Sequence, residues 1–412
     1  MYDVYKLFGN KKPEKKKLNS KKRKKLNSNQ KYNKQSRIEL PLDGSLLERP
    51  KARNVNGSDQ RCQTSVVLQK CLDGNPWCSH GPTILFERTF LTPKKENTIK
   101  FYACSAYRDR KDCPSYFTAD ESNCCKESED KKFRWKKILC QNGNTEKQPQ
   151  LFDTISCYCR TCSKLLEKNK TALHIQHDII KLTNKNVAQP TLNGLLCSKS
   201  SSTKEAQYYF SKDCLDTLIN QFILKGRADI YVICIGAPRI HEKLLSPETA
   251  KDKTRNIRSI LLDIDDRLRD FYDASNLTSN SFHHYNMFNH FFFRPSDRQA
   301  YLNFLKKANG NILVVTDPPF GGKCELIGRT LEHIKENVNQ MSSSGLNKFD
   351  VMWIFPYYME RQIQKEIPGI KMSDFQVCYE NNDKQRYKDG LEAGKQGCRK
   401  VTLQHRYFSY LG

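Results

Sequence analysis

Residues 311–323, NILVVTDPPFGGK, place an acidic residue, two prolines and an aromatic residue directly after an apolar run. The run is short and rich in β-branched residues, which predicts a buried strand. Pro318 and Pro319 fix φ and lack a backbone N–H, so neither strand nor helix continues through them. We therefore expect Asp317 and Phe320 on a rigid loop at the carboxyl end of a strand, where open α/β sheets bind ligands.

These residue types suit chemistry on an aromatic amine. The carboxylate of Asp317 and the main-chain carbonyl of Pro318 can accept both N–H groups of an exocyclic amine, while Pro319 stiffens the loop. Phe320 can stack on an extruded base, as enzymes that act on bases require. The four residues resemble the D/N-P-P-F/Y/W pattern of methyltransferases that modify exocyclic amines. The alternative is a Pro-Pro turn after any buried strand.

Cysteine and histidine residues form a first group with the spacing of a metal site. It comprises Cys78, His80, Cys104 and Cys113, and four such ligands in two pairs suit tetrahedral zinc. Between the pairs, ILFERTF and TIKFYAC alternate like the two strands of a hairpin. A unit this small needs a metal to fold.

This first group resembles the GRF-type zinc finger, in its C-x-H-G leader and in the segment Cys104-SAYRDRKD-Cys113-PSYF. Fingers of that type bind single-stranded nucleic acid. Its cations could contact phosphates and its aromatic residues could stack on bases; they are Arg108, Arg110 and Lys111, and Tyr107, Tyr116 and Phe117. Alternatively, the aromatic residues form the small core of the finger.

A second group has two cysteines followed by two histidines. Cys159 and Cys162 precede His174 and His177, with a partly helical stretch between the pairs that places both histidines on one face. Zinc is again the metal that this set favours. Cys157 is an alternative ligand, and the other interpretation is unrelated residues on a loop.

The composition favours a reducing compartment and a nucleic-acid partner. The 412 residues carry 70 lysines and arginines against 45 acidic residues, a net charge of +25, which indicates a polyanionic partner. Residues 1–38 hold 14 lysines and arginines against two acidic residues. This tail is too poor in apolar residues to fold, and its basic clusters resemble nuclear import signals, the alternatives being an RNA-binding arm or a solubilising tail. The sequence contains 17 cysteines but shows no secretory signal and no apolar run long enough to span a membrane. These features argue against a secreted or membrane protein.

Residues 205–378 alternate strands and helices, which predicts a mostly parallel, doubly wound sheet. The strands are expected at residues 229–235, 258–265, 311–317 and 350–355, with helices at 211–224 and from 325 onward. The turn after the first strand, at Gly236, should approach a cofactor. Asp263, at the end of the second strand, is the candidate for holding ribose hydroxyls, with Asp265 next.

Together these segments resemble one family, the zinc-finger CCHC-domain-containing N6-adenosine methyltransferases of large-subunit (28S) ribosomal RNA. The resemblance extends over residues 77–378 and rests on CSHGP, FYACSAYRDRKDC, CRTC with its two histidines, AQYYF, ICIGAPRIHE, ILLDID, HYNMFNHFFF, VVTDPPFGG and WIFPYYME. It implies S-adenosylmethionine as methyl donor, zinc in both fingers and work on ribosomal RNA in the nucleus and nucleolus, with the cytoplasm as a further location. By the same analogy the donor is held by Gln207, Tyr208, Tyr209, Phe210, Arg239, Asp263, Asn289 and Asp317. We expect a monomer that does not enter membranes.

The expected organisation is a disordered basic tail (1–60), a GRF-type finger (75–120), a two-Cys two-His finger (150–185), a Rossmann-like S-adenosylmethionine-dependent methyltransferase domain (200–380) and a short divergent segment (381–412). Members of the family carry a Cys/His-rich CCHC tail after the catalytic domain, whereas residues 381–412 contain no finger. The alternative function is therefore RNA binding by the fingers beside a catalytically silent methyltransferase-like domain. A third reading keeps the chemistry but places it on another nucleic acid.

Overall fold

The structure is a computed structural model that describes residues 61–91, 96–119, 155–196, 209–275, 280–343, 347–380 and 399–408. All of them belong to one compact unit, Asp59–Gly412. The tail predicted for residues 1–60 lies outside the described residues, as do Gln207 and Tyr208. Among the described residues, no helix has the length and apolar character needed to cross a membrane.

The first cysteine–histidine group lies in an antiparallel module, which we call the first finger. Its strands are β1 Arg61–Val66, β2 Trp77–Cys78, β3 Gly81–Pro82, β4 Ile84–Leu91, β5 Glu96–Ala103 and β6 Tyr116–Thr118. β2 pairs with β3, and the other four form a sheet in the order β1-β4-β5-β6. The predicted hairpin is confirmed as the β4–β5 pair, with Ile84 opposite Ala103.

The second cysteine–histidine group lies in a smaller module, the second finger. Its strands are β7 Ile155–Cys159, β8 Lys164–Glu167 and β9 Ile179–Lys181, in the order β8-β7-β9. A 3₁₀ helix, Lys168–His174, carries the first histidine. Helix α1, Asn184–Ala188, follows, and the Thr183 hydroxyl caps it by accepting from the Asn186 N–H.

The rest of the described chain forms an α/β domain around an eight-stranded sheet. Its strands are β10 Asp229–Ile235, β11 Asn256–Asp263, β12 Phe282–Asn286, β13 Phe291–Phe292, β14 Asn311–Thr316, β15 Asn347–Ile354, β16 Lys371–Val377 and β17 Arg399–Phe408. Its helices are α2 Lys212–Thr217, α3 Pro238–Leu244, α4 Pro247–Ala250, α5 Arg267–Asp273, α6 Pro295–Ala308, α7 Cys324–Met341 and α8 Glu360–Glu366.

The predicted doubly wound topology is confirmed. The strand order is β13-β12-β11-β10-β14-β15-β17-β16, and β12, β11, β10, β14 and β15 are parallel neighbours. The chain runs from β10 outward through β11 and β12, then returns to β14 on the other side. The order therefore reverses between β10 and β14, which is the switch point where such sheets bind ligands.

Helices cover both faces of this sheet, because successive strand residues point to opposite sides. On β14, Leu313 and Val315 join one buried cluster, whereas Ile312 and Val314 join the other. The strands therefore read as continuous apolar runs rather than alternating ones. This burial on both faces fixes where each strand ends, and with it the positions of the loops that follow.

Residues 211–224 and residues 381–412 both differ from the predictions. The helix expected over residues 211–224 is α-helical only to Thr217 and continues as a π-helical turn, Leu218–Ile223. No strand or helix was predicted within residues 381–412, yet β17 inserts antiparallel between β15 and β16. The hydrogen bonds that place β17 come from partners far away in the chain, which local patterns do not reveal.

Candidate active site and metal centres

Residues 317–323, which the sequence predicts to form the catalytic loop and which are called so below, begin where β14 ends at the switch point. The Asp317 N–H donates to the carbonyl of Ile235, at the end of β10, over 3.1 Å. The next residue of β10's turn, Gly236, has φ +63°, and a Cβ there would lie 3.2 Å from the Asp317 carbonyl oxygen and 2.8 Å from Met287 Cε. Only glycine allows this approach without strain. The two loops therefore meet at one point of the sheet edge.

Within the loop, each residue has a distinct setting. Pro318 is buried, while Asp317, Pro319 and Phe320 are half-buried. The Gly322 N–H donates to the Pro319 carbonyl over 2.7 Å, which closes a tight turn. Helix α7 then begins at Cys324. The carboxylate and the phenyl ring are thus presented by a short segment held at both ends.

Tyr379 completes this edge and is a candidate site residue that was not predicted from the sequence. Its hydroxyl donates to Asp317 Oδ1 over 3.2 Å, and its ring stacks on Phe210, with centroids 5.1 Å apart and planes 24° apart. Phe320 lies edge-on to the same ring at 6.4 Å. Tyr379 follows β16, a strand that no local pattern predicted, so no signal near the Asp-Pro-Pro-Phe motif indicated it.

Two of the residues predicted to hold the methyl donor, Asp263 and Tyr209, lie near Asp265 at the end of β11. Asp263 is buried at the end of β11 and accepts the Asp265 N–H over 2.8 Å. Asp265 instead forms an ion pair with Arg267, over 2.6 Å. Burial, followed by the Asp265 carboxylate, raises the pKa of the Tyr209 hydroxyl, which therefore stays protonated. This part of the edge offers carboxylates, a phenol and an aromatic ring for a nucleoside.

Arg239, another predicted donor residue, uses its side chain to hold the Tyr209–Phe210 segment. Its guanidinium donates to the Phe210 carbonyl over 2.6 Å and to the Thr191 carbonyl over 3.2 Å. It also pairs with Glu380 over 2.7 Å and lies 4.7 Å from the centroid of the Tyr209 ring. The buried guanidinium thus positions Tyr209 and Phe210, two residues that are predicted to bind the methyl donor. A direct contact between Arg239 and the methyl donor stays a prediction.

The structure places Asn289 against the first finger. Its amide Nδ2 donates to the carbonyls of His80 and Pro82, over 3.2 and 2.9 Å. Asn286 Nδ2 also donates to the His80 carbonyl, over 2.9 Å. Gly81, between the two acceptors, has φ +97°, and a Cβ there would lie 2.7 Å from the Phe291 ring. The described contacts therefore show that Asn289 docks the first finger on the α/β domain. A contact between Asn289 and the methyl donor stays a prediction.

The first predicted metal group is gathered in the structure. Cys78, His80, Cys104 and Cys113 each offer one ligand atom, and all four atoms lie within 4.8 Å of one another. Cys104 Sγ and His80 Nδ1 are 3.5 Å apart. Ligand atoms around a tetrahedral zinc ion are about 3.3 to 3.8 Å apart, from the usual bond lengths. The donor set and its spacing fit a metal ion of that size.

The second group is gathered in the same way. Cys159, Cys162, His174 and His177 also offer ligand atoms within 4.8 Å of one another. His177 Nδ1 lies 3.5 Å from Cys159 Sγ and 3.2 Å from Cys162 Sγ, and the two histidine Nδ1 atoms are 3.0 Å apart. Cys157, the alternative ligand, is outside this group.

The predicted RNA-facing residues of the first finger divide into two kinds. Phe86, Phe101 and Tyr116 stack in a row, with successive centroids 5.7 and 4.9 Å apart. Arg110 covers Tyr116 from outside, at 3.9 Å from the ring centroid. Tyr116 is therefore half-buried between Phe101 and Arg110, whereas the cations Arg108, Arg110 and Lys111 are exposed.

The comparisons with known proteins agree with this geometry. Residues 201–391 match the family model described as a probable N6-adenine methyltransferase. The human rRNA N(6)-adenosine-methyltransferase ZCCHC4 is 35% identical over 336 residues, which are 78% of this chain and 62% of the human protein. The proteins of the same name from Xenopus laevis and Xenopus tropicalis are each 32% identical, over 361 and 352 residues, 83% of this chain and 69% of theirs.

The chain thus spans between 62% and 69% of the length of these relatives. The matched part of the chain contains both metal groups, the switch point and the Asp-Pro-Pro-Phe loop. On this extent of similarity, the chain belongs to the family of the ZCCHC4 rRNA N(6)-adenosine-methyltransferases.

Proposed function

We propose that this chain transfers a methyl group from S-adenosylmethionine to N6 of an adenosine in large-subunit ribosomal RNA. The observation that carries the proposal is the position of Asp317. It lies at the switch point, with its N–H on the Ile235 carbonyl and its carboxylate on the Tyr379 hydroxyl. The relatives named as rRNA N(6)-adenosine-methyltransferases support the choice of substrate.

In the proposed reaction the residues of this chain orient the acceptor. S-adenosylmethionine supplies a methyl group activated by a sulfonium, so positioning accounts for most of the rate. Asp317 and the Pro318 carbonyl each accept one N–H of the adenine amine, which directs the nitrogen lone pair towards the methyl group. Phe320 stacks on the extruded base. The new N–C bond would replace the S–C bond, S-adenosylhomocysteine would leave as the neutral thioether, and the nitrogen would release one proton to solvent.

The other assignments extend the same proposal. Asp263 holds the ribose of the donor, and Tyr209 and Phe210 line its site. Both fingers hold zinc, because two thiols with two imidazoles, or three thiols with one, are soft and borderline ligands. The basic composition of the chain supports RNA as the partner. We place the protein in the nucleus and nucleolus, with a cytoplasmic pool as the alternative, and expect a monomer.

The decisive experiment is methyl transfer from radiolabelled S-adenosylmethionine to a large-subunit rRNA transcript. Wild type should incorporate label at adenosine N6, and Asp317→Ala should lose at least about a hundredfold in rate, because it removes one acceptor of the amine. Asp374→Ala, an exposed aspartate of β16, is the control and should keep full activity. Equal incorporation by wild type and Asp317→Ala would remove the proposed site.

A second measurement separates an active enzyme from a silent one. If wild type binds rRNA and carries metal yet transfers no methyl group to any RNA, the protein is an RNA-binding module.

Calorimetry with S-adenosylmethionine tests the methyl-donor site by itself. Asp263→Asn should weaken binding about tenfold or more, because the ribose hydroxyls lose a charged acceptor. Unchanged affinity would remove Asp263 from the donor site.

A further inference from the structure

A cavity of about 530 Å³ lies between the first finger and the catalytic loop. One wall is formed by β4, β5 and the segment that follows β5, up to Arg108. The opposite wall is formed by Pro319, Gly321, Gly322 and Lys323 of the catalytic loop. Pockets that bind small organic ligands span about 300 to 1,000 Å³, so this one can hold a nucleotide.

The two walls are tied together. The Lys323 ammonium donates to the Thr64 carbonyl of β1 over 2.8 Å. A second tie comes from Asn286, whose Nδ2 donates both to the His80 carbonyl and to Ser105 Oγ, each over 2.9 Å. Ser105 itself lines the cavity. The cavity is therefore a built feature of the docked finger rather than a gap between loosely joined modules.

The lining has the chemistry of a nucleotide site. Arg88 lies 5.0 Å from the centroid of the Phe101 ring, and Arg108 is exposed at the rim. Tyr107 is half-buried and packs on His80, with ring centroids 4.6 Å apart. No carboxylate is among the described residues that line the cavity. Cations beside aromatic faces, without acidic groups, suit a base with its phosphate.

The position of the cavity beside Asp317 indicates which nucleotide of the RNA would bind in it. Pro319 lines it and is two residues from Asp317, which faces the amine in the proposed reaction. A strand whose target adenosine is extruded towards Asp317 continues past this point. We propose that the cavity binds the nucleotide adjacent to the target adenosine in the RNA strand. This inference rests on the proposed function, and it makes the first finger one wall of the active site, which selects the sequence context.

The test compares kinetics of methyl transfer to a large-subunit rRNA transcript at saturating S-adenosylmethionine. Ala106→Trp fills the cavity, and Arg108→Ala removes a cation from its rim. Each should lower kcat/KM for RNA about tenfold or more, because a stacked base or a phosphate contact is lost. Donor affinity by calorimetry and the metal content of the variants should equal those of wild type.

Lys100→Ala is the matched control, since it removes the same charge from the same finger at an exposed position of β5 that does not line the cavity. It should keep kcat/KM within about threefold of wild type, as a non-contacting surface charge does. Full activity of Ala106→Trp, or equal losses in Arg108→Ala and Lys100→Ala, would overturn the cavity assignment while leaving the proposed function intact. An inactive wild type would instead overturn the proposed function.

Discussion

The Tyr379 hydroxyl donates a hydrogen bond to Asp317 Oδ1 over 3.2 Å, and the two residues are 62 positions apart in the chain. The same tyrosine stacks on Phe210, and the neighbouring Glu380 N–H donates to the Tyr209 carbonyl over 2.9 Å. One residue thus joins the carboxylate proposed to bind the amine to the segment proposed to bind the methyl donor. Its hydroxyl fixes the orientation of the carboxylate.

We predict that Tyr379→Phe lowers kcat for methyl transfer about tenfold, because a hydrogen bond to a charged group contributes about 1.5 to 3 kcal/mol. The ring and its stacking on Phe210 are kept, so the affinity for S-adenosylmethionine should change little. Steady-state kinetics and calorimetry measure both quantities. Tyr358→Phe, at an exposed tyrosine, is the control. An unchanged kcat in Tyr379→Phe would show that the hydroxyl does not orient Asp317.

Asn289 offers a test between docking the finger and binding the donor. Asn289→Ala removes the donor of two hydrogen bonds to the first finger, at a cost of about 1 to 3 kcal/mol in local opening free energy. Hydrogen exchange of residues 77–82 should accelerate accordingly, while the affinity for S-adenosylmethionine stays at the wild-type value. Asn303→Ala, on the exposed side of α6, should change neither. If the affinity for S-adenosylmethionine fell while hydrogen exchange of residues 77–82 stayed unchanged, Asn289 would bind the methyl donor and would not dock the finger.

The two metal groups predict the metal content of the purified protein. Elemental analysis should find two zinc ions per chain, one for each group of four ligands. Cys104→Ser and His174→Ala should each leave about one ion, because a structural site that loses one of its ligands binds far more weakly. Cys62→Ser, at an exposed cysteine outside both groups, should retain two. A wild-type protein without zinc would contradict both assignments.

His241 predicts a pH dependence of stability. It is fully buried between Ser259 Oγ, 2.8 Å from Nδ1, and Ser281 Oγ, 3.0 Å from Nε2. Burial, followed by the neighbouring His283, lowers the pKa of His241 from 6.5 to about 3. Between these values the unfolded chain binds the proton and the folded chain does not, so stability is present above pH 6.5 and is lost as the pH falls.

The matched variant is His241→Gln, which is neutral at every pH and keeps one donor and one acceptor. The unfolding free energy of wild type relative to this variant should fall by about 1.4 kcal/mol for each pH unit below 6.5. Urea titrations at several pH values between 6.5 and 5 measure the difference. A difference that does not vary with pH would mean that His241 takes up its proton in the folded protein.

The sequence alone determined the parts that depend on neighbouring residues. The β-branched run before Asp317 and the two prolines after it predicted a strand and a rigid loop. The Cys/His spacings predicted two ligand groups, which the fold brings together. The helix predicted from residue 325 onward is confirmed as α7, and its apolar residues Leu326, Ile327, Leu331, Ile334 and Val338 are all buried. These signals can be read without the fold, because dihedral limits and the side-chain period are set within a few residues and the ligand types and spacings are visible in the sequence.

Only the tertiary structure decided which distant groups meet. Tyr379 reaches Asp317 because β16 and β17 close the sheet beyond β15, and the place of a strand in a sheet depends on partners elsewhere in the chain. Asn286 and Asn289 bind the first finger about 200 residues earlier in the sequence. The cavity exists only where that finger docks on the catalytic loop. Such contacts follow from the packing of complete modules, for which a linear pattern carries no signal.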